Sequence, residues 1–376
     1  MKDIRIVPIE HGESGNPQDF GAHKAAEALT FHRTLKEYAP TPLVSLSNLA
    51  SALGVKDFLV KDESRRFGLN AFKGLGGSFA MHSVSKDKTG PMTFVTATDG
   101  NHGRGVAWAA SRMGYGAHVL MPRGSARERL ENIRKLGAHA EITDMSYDDA
   151  VRHAALLAEQ NGWVLLQDTA WEGYEEIPAL IMQGYTTMGA EIMEQLQGKT
   201  PTHVFLQAGV GAMAAAMTGF FADVFKENKP KIIIVEPEGA DCIFRTAEAN
   251  DGKLRFCGED MSTIMAGLCC GEPCTIAWEV LKKYADFALC CPDYIAADGM
   301  RMYGNPLGDD ERIISGESGA VTGGIAAEIM TNPELADVRD MLELNSQSTI
   351  LCISTEGDTD RENYRNIVWR GKYPAP

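Results

Sequence analysis

Lys73 lies in Asn70-Ala71-Phe72-Lys73-Gly74-Leu75-Gly76-Gly77-Ser78, an amine behind an aromatic residue and ahead of several glycines. Apolar or very small flanks desolvate an ε-amine, which lowers its pKa and leaves room for a planar ligand. Such an amine can form a Schiff base with an aldehyde cofactor, and pyridoxal 5'-phosphate (PLP) is the commonest partner of that kind. A lone lysine does not decide the matter. Two downstream segments supply what it lacks.

The first is Thr96-Ala97-Thr98-Asp99-Gly100-Asn101-His102-Gly103-Arg104-Gly105, between an apolar run and a helical stretch. Open α/β sheets place ligands in polar, glycine-spaced loops of this kind. The loop amides meet a helix N-terminus, which suits a substrate carboxylate. Asn101 can hydrogen-bond a ring hydroxyl oxygen, and Asp99 is a carboxylate available for chemistry. An Asp-Gly turn followed by a capping Asn is the plainer alternative, and His102 reads as a structural donor. The second segment is Gln207-Ala208-Gly209-Val210-Gly211-Ala212-Met213-Ala214. Without side chains at Gly209 and Gly211, the amides of Gly209, Val210, Gly211, Ala212 and Met213 can close around a phosphate. The same residues fit G-x-G-x-x-A, with Glu236 ending the next strand as a ribose-binding acid would. A nicotinamide-dependent oxidoreductase using Gly209, Gly211, Ala214 and Glu236 is therefore a competitor. Both readings predict phosphate, and Lys73 decides between them.

These segments need rigid elements behind them. Short apolar runs at 58–60, 92–97, 117–121, 138–142, 163–166, 202–207, 231–235, 287–290 and 348–354 read as strands. Helical stretches at 105–113, 126–136, 147–160 and 177–195 alternate with them. Continuous apolar runs indicate parallel strands covered on both faces. The spacing is too irregular for an eightfold barrel, so the fold class is α/β with two open, mostly parallel twisted sheets covered by helices. Residues 81–187 are expected to form a small mobile domain, inserted into a large cofactor-binding domain of residues 1–80 and 188–376. Pro40-Thr41-Pro42-Leu43 is a stiff extended lead-in. The first 35 residues or so show little periodicity and are expected to be a loose arm.

The chain has 376 residues, 44% of them hydrophobic and 23% charged, enough for two domains and a sizeable core. A net charge of −15 argues against nucleic acid and anionic membranes as partners. It does not exclude a bound phosphate, which local amides can hold. No run approaches the roughly 18 apolar residues of a spanning helix, and a cytoplasmic location is expected. All eight cysteines lie from Cys242 onward with no CxxC spacing, so no structural zinc is expected. Most read as buried thiols, with a disulfide from Cys242 to Cys269 or Cys270 as the lesser alternative.

Taken together, the chain resembles the fold type II (tryptophan synthase β-like) PLP enzymes, the group of serine and threonine dehydratases. The resemblance runs from Pro40-Thr41-Pro42-Leu43 through Lys73, the Gly-Asn-His loop, Met121-Pro122 and Gly209-Val210-Gly211 to Ile353-Ser354-Thr355-Glu356-Gly357. Dehydratases usually carry Ser before Phe-Lys, Arg two residues after the lysine, and Ser before Gly-Asn-His. Ala71, Leu75 and Asp99 stand there instead. Thr98 to Trp108, Gln167 to Tyr174 and Ser354 to Asp360 resemble one branch closely, the diaminopropionate ammonia-lyases. That resemblance implies α,β-elimination of ammonia from 2,3-diaminopropionate, L- and D-isomer alike, giving pyruvate and two ammonia molecules.

Within it, Lys73 is the base for the L-isomer, Asp99 the base for the D-isomer, and Asp168 binds the substrate amine and assists proton transfer. Asp168 also fits a simple cap or turn residue. Ser354 or Thr355 offers a neutral hydroxyl to the pyridine nitrogen, and Phe72 packs on the ring or belongs to the core. A turn at Gln183-Gly184-Tyr185-Thr186-Thr187 and the segment Glu317-Ser318-Gly319-Ala320 are expected near the cofactor. The implied assembly is a homodimer acting on a small amino acid. A non-catalytic ligand-binding regulator is the third reading, disfavoured by Lys73, Asp99 and Asp168 together.

Overall fold

The computed structural model describes residues 4–98, 100–258 and 261–376. The described strands are β1 (Arg5–Pro8), β2 (Leu43–Ser45), β3 (Asp57–Asp62), β4 (Thr93–Ala97), β5 (Gly116–Met121), β6 (His139–Ile142), β7 (Val164–Leu165), β8 (His203–Gln207), β9 (Lys231–Pro237), β10 (Phe287–Cys291) and β11 (Thr349–Ser354). Seven form one sheet in the order β1-β10-β9-β8-β11-β3-β2, and four form a second in the order β6-β5-β4-β7. The second sheet is parallel throughout. The first is parallel from β10 to β3, with antiparallel strands only at its edges. Every residue of β8 and β11 is buried, which is why central strands read as unbroken apolar runs.

All nine expected strands form, although β7 has only two residues. The edge strands β1 and β2 were not foreseen. Nor is the N-terminal segment a loose arm. After β1 and a short 3₁₀ turn, the Ala22–His32 helix buries Ala25, Ala28, Leu29 and His32 and packs on the Glu176–Gln195 helix. His32 Nε2 faces the Leu75 carbonyl at 3.0 Å and Nδ1 faces the Thr187 hydroxyl at 2.7 Å. Burial pushes this ring down to about 3, so it is a neutral connector. The turn expected at 183–187 is the middle of the Glu176–Gln195 helix. All eight cysteines are free thiols, and the bridge from Cys242 is absent. Among the described residues no helix is long and apolar enough to cross a membrane.

Two features hold the lysine segment in place. A fully buried ionic cluster ties β3 and the residues after it to the Glu176–Gln195 helix. In it, Lys61 donates to Glu191 at 2.6 Å, and Arg66 donates to both Glu191 and Glu63 at 2.7 Å. Burial would raise the Glu191 carboxyl, but Arg66 and Lys61 outweigh it and hold the group at about 2. The Lys73–Ser85 helix then packs against both the Asn101–Met113 and Glu176–Gln195 helices. At Gly105 an added Cβ would lie 3.0 Å from the Gly74 nitrogen and 3.1 Å from the Lys73 carbonyl carbon. Backbone meets backbone there with no side chain between.

Candidate active site

A cleft of about 420 Å³ opens between the two sheets. Lys73, the first residue of its helix, enters from one wall. Its Nζ donates to Asp168 Oδ2 at 2.6 Å and lies over the Phe72 and Tyr185 rings, 5.4 and 5.8 Å from their centres. Burial alone would lower this amine, as its flanks suggest. The Asp168 charge outweighs burial and holds the amine well above its ordinary range. The expected depression is thus reversed, because the counterion comes from 95 residues away in sequence.

Asp168 follows β7 and is itself buried. Burial would raise its carboxyl, but the charge of Lys73, and of His102 whenever that ring is protonated, keeps it below the usual carboxylate range. His102 sits beneath the pair. Its Nε2 lies 2.8 Å from the Leu166 carbonyl and must carry the proton there. Nδ1 stands 3.6 Å from Asp168 Oδ2 with no hydrogen-bond partner among the described residues. Burial first, and Lys73 after it, lower the ring's pKa and favour the neutral form. Asp99 lies outside the described residues.

Asn101 opens the next helix and lines the cleft, where its amide donates to Glu356 Oε2 at 2.7 Å. The segment carrying Glu356 is laced to the lysine segment. Phe72 N–H donates to the Thr355 carbonyl at 3.1 Å and Gly357 N–H donates to the Asn70 carbonyl at 2.9 Å. Of the two candidate hydroxyls, Thr355 lines the cleft, whereas Ser354 is buried and donates to Ser315 at 2.8 Å. Gln207 donates to the Thr355 hydroxyl oxygen at 3.0 Å, which leaves the threonine's own proton free to point elsewhere. Phe72 is buried, packs on Tyr185 with ring centres 4.7 Å apart, and also forms part of the cleft wall.

Opposite, Gly209, Val210, Gly211, Ala212 and Met213 curve into the N-terminus of the Ala212–Phe225 helix. The first amides of that helix have no intrahelical acceptor. A Cβ on Gly209 would meet the Cys270 sulfur at 3.0 Å and Leu268 Cα at 3.3 Å, so a side chain there would press on the neighbouring loop. Glu236, the ribose ligand of the dinucleotide alternative, is fully buried and accepts the amides of Ile243 at 2.9 Å and Phe244 at 2.6 Å. It caps a helix and offers nothing to a ribose.

The family profile of pyridoxal-phosphate dependent enzymes matches residues 34–355. The chain belongs to this family. Over 373 aligned residues it is 50% identical to the diaminopropionate ammonia-lyase of Escherichia coli K12, covering 94% of this chain and 93% of that protein. It is 48% identical over 371 residues to the diaminopropionate ammonia-lyase of Salmonella typhimurium LT2, covering 92% of each. Its backbone is similar to a crystal structure of the Escherichia coli diaminopropionate ammonia-lyase in complex with an aminoacrylate–PLP azomethine reaction intermediate. The TM-score is 0.92 at 48% identity, with 99% of this chain and 98% of that chain covered.

The pyridoxal-phosphate family requires an amine, a phosphate cradle and a flat slot between them, and the cleft fits each. Lys73 presents the amine, the Gly209 loop is a cradle that a Cβ would fill, and Thr355 offers a hydroxyl. The role of Gln207 was not expected, whereas Tyr185 and Glu317 fall in segments expected near the cofactor. Gln207 orients Thr355, and Tyr185, flagged in the supposed turn, lies beneath the amine from mid-helix. Glu317, in the expected segment, is pushed up to about 7 by burial and then by Glu356, and accepts from Asn363 at 2.6 Å.

Proposed function

We propose that this PLP-dependent lyase removes ammonia from 2,3-diaminopropionate of either configuration, yielding pyruvate and two ammonia molecules. The observation that carries the proposal is the Lys73–Asp168 pair at 2.6 Å, facing the glycine cradle. The near-full-length similarity to diaminopropionate ammonia-lyases supports the same reading. When bound, PLP supplies a conjugated ring that stabilises negative charge at the substrate α-carbon.

The chain's own groups have distinct tasks in this proposal. Lys73 must shed a proton before it can act, and because the Asp168 charge keeps that proton on the amine, Asp168 has to turn from Lys73 to the substrate's ammonium group first. The freed amine then takes the α-proton of the L-isomer. Asp168 also suits a substrate with a β-ammonium group, because a carboxylate holds that cation and keeps on the nitrogen the proton with which it departs as neutral ammonia. Asp99, directly before Gly100-Asn101-His102 in the sequence, is proposed as base for the D-isomer. Gly209 to Met213 would hold the phosphate, Asn101 the ring hydroxyl oxygen, and Phe72 would pack against the ring. Thr355, which lines the cleft, would face the pyridine nitrogen as a neutral partner in preference to Ser354. Such a partner leaves the ring unprotonated and favours elimination over transamination.

The segment 81–187, which contains the whole four-stranded sheet, is proposed as the mobile lobe that closes over substrate. A homodimer and a cytoplasmic location complete the proposal. Pyruvate release from D- and L-diaminopropionate, D- and L-serine and L-threonine tests it. Diaminopropionate should be turned over fastest, and a faster rate on serine would reassign the protein to the dehydratases.

A further inference from the structure

Strand register brings two imidazoles together on the four-stranded sheet. His118 of β5 is the direct partner of His139 of β6, and Glu141, two residues further along β6, shares the face of His139. The two rings lie 4.3 Å apart at 37°, and Trp163 supports His118 with ring centres 5.3 Å apart. One ligand atom from each of His118, His139 and Glu141 lies within 4.8 Å of the others. His118 Nε2 is buried without a hydrogen-bond partner among the described residues. Glu141 Oε1, at 3.5 Å, is too distant for a good bond. His139 and Glu141 are exposed, so an ion can reach them from solvent.

The spacing is what a shared cation needs. Ligands about 2.0–2.1 Å from a tetrahedral zinc stand about 3.3 Å from one another, a contraction that small side-chain rotations supply. Two imidazoles and one carboxylate select first-row transition ions over magnesium or calcium.

We propose that His118, His139 and Glu141 form a binding site for a divalent transition ion of the zinc class, with water completing its coordination. The ion fastens the edge strand β6 to β5. None of the three residues lines the cleft, so the site is separate from Lys73 and Asp168. Cysteine spacing could not reveal it, because its ligands converge only through strand pairing.

Cobalt(II) titration of the chelator-treated holoprotein tests this, followed by visible absorption and by metal analysis after dialysis. The expected result is one cobalt per chain with a nitrogen- and oxygen-ligand spectrum, displaced by zinc. His139→Ala and Glu141→Gln change exposed side chains, so both variants should fold. Each should weaken binding by at least about tenfold and leave turnover intact. No binding, a thiolate charge-transfer band, or unchanged affinity in both variants would overturn the assignment.

Discussion

Replacing Asp168 with Asn is the most direct way to separate charge from shape in the cleft. The side chains are nearly isosteric, so the change removes the anion 2.6 Å from Lys73 Nζ and little else. At an effective dielectric constant of about 20, that contact is worth about 6 kcal/mol to the charged amine. This corresponds to between about four and five pKa units. Burial is then unopposed, and the amine should fall from well above its ordinary range to below it. The assay is reductive methylation of the apoprotein across a pH series, with Lys73 labelling read by mass spectrometry. In the parent, Lys73 should resist labelling until the most alkaline conditions. In Asp168→Asn the midpoint should drop by at least about three units, with the circular dichroism spectrum unchanged and a lower urea midpoint, because a buried cation has lost its partner. Turnover should fall by about a hundredfold or more, since the acid–base group is gone. Labelling midpoints within one unit of each other would refute the claim that this pair sets the amine's protonation.

Three further outcomes follow from the same geometry. Glu191→Ala leaves Lys61 and Arg66 without their shared anion in a dry interior, and should cost about 3–5 kcal/mol in urea unfolding. A loss below about 1 kcal/mol would mean that the cluster is solvated. Gly209→Ala places a methyl against the Cys270 sulfur and should weaken PLP binding at least about tenfold, with the circular dichroism spectrum unchanged. Parent-like affinity would show that the loop has slack. Glu317 carries a folded-state pKa pushed up to about 7 from an ordinary 4.5, so the folded apoprotein binds this proton more tightly than the unfolded chain. Stability from this group therefore declines as pH rises through that interval and is lost above it. Glu317→Gln should gain up to about 3 kcal/mol on the parent between pH 5 and pH 8, and a difference flat with pH would count against a buried carboxyl.

The central strands were legible because burial on both faces demands unbroken apolar runs, as in Phe58-Leu59-Val60 and Thr349 to Ser354. The edge strands were not, because β1 and β2 have three or four residues and mixed exposure. The Ala22–His32 helix escaped notice because two alanines and a histidine make up much of its buried face, giving weak hydrophobic contrast. In the cleft, amine and glycine loop announced themselves by local residue pattern, and the hydroxyl through the family resemblance. Their mutual arrangement did not. That Asp168 touches Lys73, or that Thr355 and not Ser354 reaches the cleft, depends on how two sheets abut. The expected depression of Lys73 failed for that reason: neighbours along the chain describe burial, but a counterion arrives through space.

Where Gly105 meets Lys73 and Gly74, main chain faces main chain, so no side chain interlocks at this point of the joint. Interlocked side chains would hold two lobes at a few discrete angles, each requiring knobs to lift out of holes. Smooth main-chain ridges can instead glide by small increments at little cost. Under the closure proposed for 81–187, the wall that carries Asn101 and His102 would pass the amine at this contact, with the Asn101–Glu356 and Lys73–Asp168 hydrogen bonds as the resistance.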